Sequence, residues 1–229
     1  MQGAPAVHAG HSEFSVHGRS PWGQGTVGGV RVVAGDARGR RLIAPAGDGT
    51  RPTLDRVREA MFNALASLGA IEGVEVLDLF AGSGALGIEA LSRGAAHATF
   101  VDRDRAARRA IETNLASTGL ADRATVVSMR AEDFLVRSGP TGSGEQGRSF
   151  SLVLLDPPYG SDDDAWRALL EALSSRSDIA HVVIESDREI AVDDRWDVVR
   201  EKWYGGTLLV ILRPSTPSRP APDRSAEPT

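Results

Sequence analysis

The chain has 229 residues, 41% of them hydrophobic, and a formal net charge of −5, which is enough apolar content for one sizeable core. It has no cysteine, which excludes disulfides and thiolate metal sites. No apolar run approaches the roughly 20 residues of a membrane helix, and the N-terminus lacks the basic and apolar regions of a signal peptide, so a cytoplasmic protein without a membrane partner is expected.

Residues 1–29 are rich in Gly, Ser and His and lack periodicity. They read as a disordered extension, either dispensable or the product of an upstream start with Val30 as the initiator. His8, His11 and His17 are tail composition rather than metal ligands, and no metal is expected. Residues 30–44 suggest two short strands turning through Arg38-Gly39-Arg40. Leu54, Val57, Met61, Leu65 and Leu68 recur at helical spacing, which predicts a helix over 53–68, entered through Pro52 and closed by Gly69, with Arg56 and Glu59 projecting away from the core.

Seven arginines fall between positions 31 and 58, against three aspartates. Charge distribution matters more than the total for nucleic-acid binding. Such a segment can take phosphates through bidentate contacts, or it can be a solvated hairpin with local ion pairs; charge alone does not separate the two.

From residue 74 onward strands alternate with helices, the mark of a mostly parallel sheet. Strands are expected near 75–79, 98–101, 124–128, 151–155 and 181–185, and helices near 84–93, 104–117 and 163–175. Segments 197–203 and 206–212 have no helix between them and should form a hairpin across Gly205-Gly206. Residues 138–149 read as a flexible insertion and 215–229 as a disordered polar tail.

Two motifs carry chemistry. In the first, an apolar run ending in Asp78 and Leu79 leads through Phe80-Ala81-Gly82-Ser83-Gly84 into a helical pattern, the strand, glycine turn and helix of a nucleotide-binding unit. Asp78 stands four residues before the first glycine, where a carboxylate suits a cationic or amino-acid ligand and conflicts with a pyrophosphate. Asp102 ends the next strand, suited to bridging ribose hydroxyls, though an ordinary helix N-terminal residue would look the same. In the second, Leu152 to Leu155 deliver Asp156-Pro157-Pro158-Tyr159. A carboxylate and a backbone carbonyl that accept the hydrogens of a base amino group, with an aromatic face stacked on the ring, help that poor nucleophile attack a methyl group. Taken alone, Asp-Pro-Pro also reads as a plain stop after a strand.

Together with Glu89-Ala90-Leu91-Ser92-Arg93-Gly94, these motifs resemble the S-adenosylmethionine-dependent methyltransferases acting on guanine N2 of small-subunit ribosomal RNA. Arg31-Val32-Val33-Ala34-Gly35, Arg38-Gly39-Arg40-Arg41-Leu42, Arg51-Pro52-Thr53 and the block Asp55 to Asn63 carry the closer similarity, to the 16S rRNA (guanine(966)-N(2))-methyltransferase family. It spans about 30–214. The resemblance implies an α/β, Rossmann-like class I methyltransferase with a seven-stranded mostly parallel sheet, an antiparallel last strand, helices on both faces and a small N-terminal hairpin and helix. The implied domains are an RNA-binding element at 30–70 and a methyltransferase domain at 71–214.

The resemblance also implies S-adenosyl-L-methionine as cofactor, held by Asp78, Phe80, Ala81, Gly82, Ser83, Gly84, Asp102, Arg103 and Ala131. Asp156, Pro157, Pro158 and Tyr159 are the implied catalytic residues. RNA contacts would come from Arg31, Arg38, Arg40, Arg41, Arg51 and Arg56. The implied partner is 16S ribosomal RNA, within the small subunit or an assembly intermediate, acted on by a monomer. The competing readings are a DNA adenine-N6 or cytosine-N4 methyltransferase, a nicotinamide-dependent oxidoreductase, and a non-catalytic RNA-binding protein. The first lacks a sizeable target-recognition region here, and the second leaves Asp156-Pro157-Pro158-Tyr159 unexplained. Intact motifs argue against the third.

Overall fold

A computed structural model describes residues 30–45, 52–139, 149–157 and 162–216. The expected disorder of 1–29, most of the 138–149 insertion and the tail beyond 216 lie outside the described residues.

Seven strands form one sheet: β1 (Glu75–Leu79), β2 (His97–Val101), β3 (Ala124–Val127), β4 (Leu152–Leu155), β5 (His181–Ser186), β6 (Trp196–Tyr204) and β7 (Thr207–Pro214). Their order is β3-β2-β1-β4-β5-β7-β6. The first five are parallel, and β7 runs antiparallel to both β5 and β6. The β6–β7 hairpin turns through Gly205 and Gly206, with Gly205 at φ 64, a left-handed conformation that glycine adopts without strain. The strand order reverses direction between β1 and β4, which opens the crevice where ligands bind in such sheets.

Among the described residues five α-helices flank the sheet: α1 (Pro52–Ser67), α2 (Ala85–Ser92), α3 (Arg105–Thr118), α4 (Ala131–Ser138) and α5 (Asp163–Ser174). The central strands are apolar on both sides because both faces are covered. One face packs Val76, Leu154, Val183 and Ile211 against residues of α1, α2 and α3, including Phe62, Ile88 and Ile111. The other packs Leu77, Val153, Ile184 and Val210 against α4 and α5 through Phe134, Leu135, Trp166 and Leu170.

Helix α4 is not foreseen from the sequence, because Arg130 at its N-cap makes no side-chain capping bond and so leaves no start signal. Ser138, expected to open the insertion, is the buried last residue of that helix. The flanks of the undescribed segment 140–148 are fixed: Arg176 donates to the Gly139 carbonyl at 2.7 Å, and the Phe150 amide donates to Asp178 at 2.8 Å.

Residues 30–45 form an arm pinned to the main core. Its two limbs pair through a single antiparallel bridge between Arg31 and Arg41, with the Val32 amide on Arg40 and the Leu42 amide on Val30. The expected strands are therefore only a short ladder. Val30, Val32, Ala37 and Leu42 join the same core as α1 and α2. Glu89 of α2, fully buried, accepts the amides of Val33 and Ala34 at 2.7 and 3.0 Å. The Ser92 carbonyl accepts the Asp36 amide at 2.9 Å, and the Ser92 hydroxyl accepts from Ala37 and donates to Ala34. Gly35 lies so close to α2 that a Cβ there would fall 1.7 Å from the Ser92 carbonyl oxygen. Among the described residues no helix is long and apolar enough to cross a membrane.

Candidate active site

The glycine turn is built from left-handed backbone. Phe80, Gly82 and Gly84 have φ of 61, 54 and 77. For Phe80 that conformation is strained, of a kind that persists where surrounding structure enforces it, often at functional sites. Gly84 is the N-cap of α2, and its amide bonds back to Ala81 at 2.6 Å. Gly87, one turn into α2, allows the helix to approach the sheet: a Cβ there would lie 2.4 Å from the Phe100 ring and 3.0 Å from Asp78. This is the helix–strand packing role of the third glycine in such turns.

Both acids named from the sequence tie the turn down. Asp78 is buried and accepts the Gly87 amide at 2.9 Å. Burial raises its pKa well above the ordinary carboxylate value, the Gly87 bond opposes that, and the charges of Asp156 and Asp102 add to it. Asp102, half-buried at the tip of β2, accepts the Gly82 amide at 2.9 Å with one oxygen and the Asp104 amide at 2.8 Å with the other. The helix-capping alternative for Asp102 does not apply, because Asp104 caps α3 by accepting from Ala106 and Ala107.

A cavity of about 740 Å³ opens at the C-terminal ends of β1, β2, β4 and β5, a volume typical of cofactor sites. Asp78, Phe80, Ala81, Gly82, Ser83, Asp102, Arg103, Ala131, Asp156 and Pro157 all line it. Gly84 shapes the turn without lining the cavity. Pro158 and Tyr159 lie outside the described residues. Of the arginines assigned to RNA, Arg31, Arg38, Arg40 and Arg41 are exposed on the arm and Arg56 is exposed on α1; Arg51 lies outside the described residues. Arg31 donates to the Gly39 carbonyl at 3.1 Å.

Sequence reasoning missed two buried charged lining residues, Arg58 and Glu185. Glu185, near the end of β5, is buried and faces the cavity, and its pKa is pushed up to about 8, first by burial and then by the charge of Asp156, with Arg58 opposing. The available signal was its place as a polar residue at the C-terminal end of a parallel strand, as with Asp78 and Asp156. Arg58, also buried, donates to Asp55 at 2.8 Å and to the Arg31 carbonyl. It stands three and four residues before Met61 and Phe62, on the core-facing stripe of α1.

Seven of the cavity's lining residues are Asp or Glu and three are Arg. Such a lining suits a cation bearing hydroxyl groups and opposes a pyrophosphate, which disfavours a dinucleotide. A Cβ placed on Gly82 would have its nearest neighbour 3.9 Å away, so the turn's backbone faces open space into which a ligand can come close.

The sheet order, the strained glycine turn after β1 and the acid after β4 define a Rossmann-like class I methyltransferase. Residues 30–213 match the family described as conserved hypothetical protein 95, and the chain belongs to that family, which is the family of ribosomal RNA small subunit methyltransferase D. Among its relatives, "Ribosomal RNA small subunit methyltransferase D" of Escherichia coli is 41% identical over 183 residues, covering 78% of this chain and 86% of the relative. "Putative rRNA methyltransferase YlbH" of Bacillus subtilis is 38% identical over 188 residues, covering 80% and 98%. The solved structure described as "Putative methyltransferase yhhF from Escherichia coli" superposes with a TM-score of 0.69 at 37% identity, covering 82% of this chain and 99% of that one.

Proposed function

We propose that the protein methylates the exocyclic N2 amino group of one guanine in 16S ribosomal RNA, using S-adenosyl-L-methionine. The observation that carries this reading is the convergence of Asp156, Asp78 and the glycine turn on one acidic cavity. The names of the relatives supply the ribosomal RNA.

Asp78 and the backbone from Phe80 to Ser83 hold the amino-acid part of the cofactor, Asp102 the ribose hydroxyls, and Arg103 and Ala131 border the remainder. When bound, the cofactor supplies an electrophilic methyl group on a positively charged sulfur. Asp156 and the Pro157 carbonyl accept the hydrogens of the amino group, which orients the nitrogen lone pair toward that methyl. With the cofactor bound, the nitrogen would take its methyl group while the sulfur kept the carbon–sulfur electron pair, and the Asp156 carboxylate would pass the surplus nitrogen proton to water. Pro158 and Tyr159 complete the motif, with Tyr159 stacking on the base. Burial shifts Asp78 toward its protonated form and pushes the Glu185 pKa up to about 8 before ligands enter.

The exposed Arg31, Arg38, Arg40, Arg41 and Arg56, with Arg51, take RNA phosphates. In this reading residues 30–70 are the RNA-binding element and 71–214 the catalytic domain. The substrate is the small subunit or an assembly intermediate, met in the cytoplasm by a monomer.

Small-subunit RNA or particles from a strain lacking the gene, incubated with the protein and radiolabelled S-adenosylmethionine, should gain one labelled N2-methylguanine. Label on adenine or cytosine, or no label in any form of the subunit, overturns the reading.

A further inference from the structure

The methyl-transfer reading uses Asp78, Asp102 and Asp156 and leaves Glu185 without a task. β4 and β5 pair in register up to Leu155 opposite Ile184, so Asp156 and Glu185 are the next residues on two neighbouring parallel strands. Their side chains leave the sheet on the same face as the buried Leu154 and Val183 two positions earlier. Asp78, opposite Leu154 on β1, shares that face. Three adjacent strands thus carry carboxyls on one face, Asp156 and Glu185 at one level and Asp78 two positions lower, and Arg58 of α1 lines the same cavity. The Glu185 carboxyl is buried, lines the cavity, and takes part in no hydrogen bond or ion pair among the described residues. On its other side β7 offers only Leu209.

A buried carboxyl costs stability unless something pairs with it, and among the described residues the charge that favours its ionised form is that of Arg58. The base edge that would fill this place has a definite pattern. Guanine presents two neighbouring donors, N1–H and an N2 hydrogen, which match the two acceptor oxygens of a carboxylate. Adenine and cytosine present a ring-nitrogen acceptor beside their amino donor, which would set a lone pair against a carboxylate oxygen.

We propose that Glu185 selects guanine, its ionised carboxylate taking N1–H and sharing with the Pro157 carbonyl the N2 hydrogen that Asp156 does not take. This rests on the guanine-N2 reading above and deepens it. Among the described residues the charged groups facing Glu185 are Asp78 on β1, Asp156 just after β4 and Arg58 on α1. Before a base enters, burial and the two aspartates hold Glu185 protonated near neutral pH, with a pKa of about 8. A protonated Glu185 offers one donor and one acceptor, the wrong pattern for guanine. Guanine binding therefore draws Glu185 into its ionised form and releases a proton.

The test uses the full-length protein and small-subunit RNA carrying, at the methylated position, either guanine or 2-aminopurine, which keeps the amino group but turns N1 into an acceptor. The wild type should favour guanine in kcat/KM by on the order of tenfold or more, the discrimination expected of one paired base contact. Glu185→Gln, whose amide offers one donor and one acceptor, should narrow or reverse that preference while binding the cofactor as the wild type does. In the wild type, guanine turnover should rise with pH as Glu185 ionises, and 2-aminopurine turnover should not; this comparison needs no variant. An unchanged base preference in Glu185→Gln, or identical pH profiles for the two bases, overturns the assignment while leaving the methyltransferase reading intact. Failure of the wild type to label guanine in any small-subunit RNA removes that reading and this one together.

Discussion

The carboxylate of Asp102 accepts the Gly82 amide at 2.9 Å, so the acid at the tip of β2 holds the turn that follows β1. Substitution of Asp102 by Ala removes an acceptor for that amide as well as the proposed ribose contact. A hydrogen bond to a charged group contributes about 1.5–3 kcal/mol, so cofactor affinity measured by calorimetry should fall on the order of tenfold to a hundredfold. Asp102→Asn, which keeps one acceptor oxygen, should fall less.

Asp156→Ala should separate binding from turnover. The residue directly follows β4 and lines the cavity, where the proposed reading gives it the base amino group rather than the cofactor, so cofactor affinity should stay near the wild-type value while methyl transfer to RNA is lost. Wild-type rates in the purified variant would remove Asp156 from the chemistry.

Gly87→Ala places a methyl group 2.4 Å from the Phe100 ring and 3.0 Å from Asp78. Overpacking of this kind typically costs about 1–3 kcal/mol, visible as a lower midpoint in thermal unfolding. Phe100→Leu in the same chain should recover part of the loss. An unchanged midpoint for Gly87→Ala would mean that α2 is not seated against β2 as described.

Stability should depend on pH through Glu185. Its folded pKa of about 8 lies above the ordinary glutamate value, so between the two the folded state holds a proton that the unfolded state has lost. Folding stability from this group is therefore full below the ordinary value and declines as pH rises toward 8. Glu185→Gln, which cannot ionise, should be the more stable protein at pH 8, by on the order of a few kcal/mol, with the difference closing toward pH 4 in denaturant titrations.

Removing charge from Arg38, Arg40 and Arg41 should weaken RNA affinity and flatten its salt dependence, since each phosphate contact contributes about one unit of slope. These side chains are exposed and enter none of the ion pairs of the described residues, so the fold should be unaffected. The same affinity across salt concentrations would assign them no part in binding RNA.

The alternation of apolar strands with amphipathic helices, and the glycine pair at the last hairpin, make the seven-stranded sheet legible in the sequence. Each expected strand of the seven-stranded sheet lies within two residues of its observed bounds; β4, β5 and β7 read as apolar runs and the exposed β6 is marked by the hairpin glycines, whereas the two strands expected in 30–44 reduce to one bridge. What stayed hidden was long-range and polar. Glu89 is an ordinary helical glutamate in sequence, yet it is fully buried and receives two amides from residues more than fifty positions away. Arg58 lines the cavity because α1 packs against α2 and β7, a long-range placement that no local pattern encodes, and Glu185 is followed by no glycine or proline to mark it, whereas Asp78 and Asp156 announce themselves by ending apolar runs at glycine and proline.

Helix α2 begins at the glycine turn and ends where the arm locks onto Ser92. Its eight residues make a rod of about 12 Å at 1.5 Å per residue, with the cofactor turn at one end and the arginine-bearing arm at the other. One residue more or less would rotate Ser92 by about 100° around the helix axis and swing the arm off its seat. The length of α2 is thus a ruler that sets the spacing between where RNA would be gripped and where its base would be modified, and insertions in this family should fall anywhere else first.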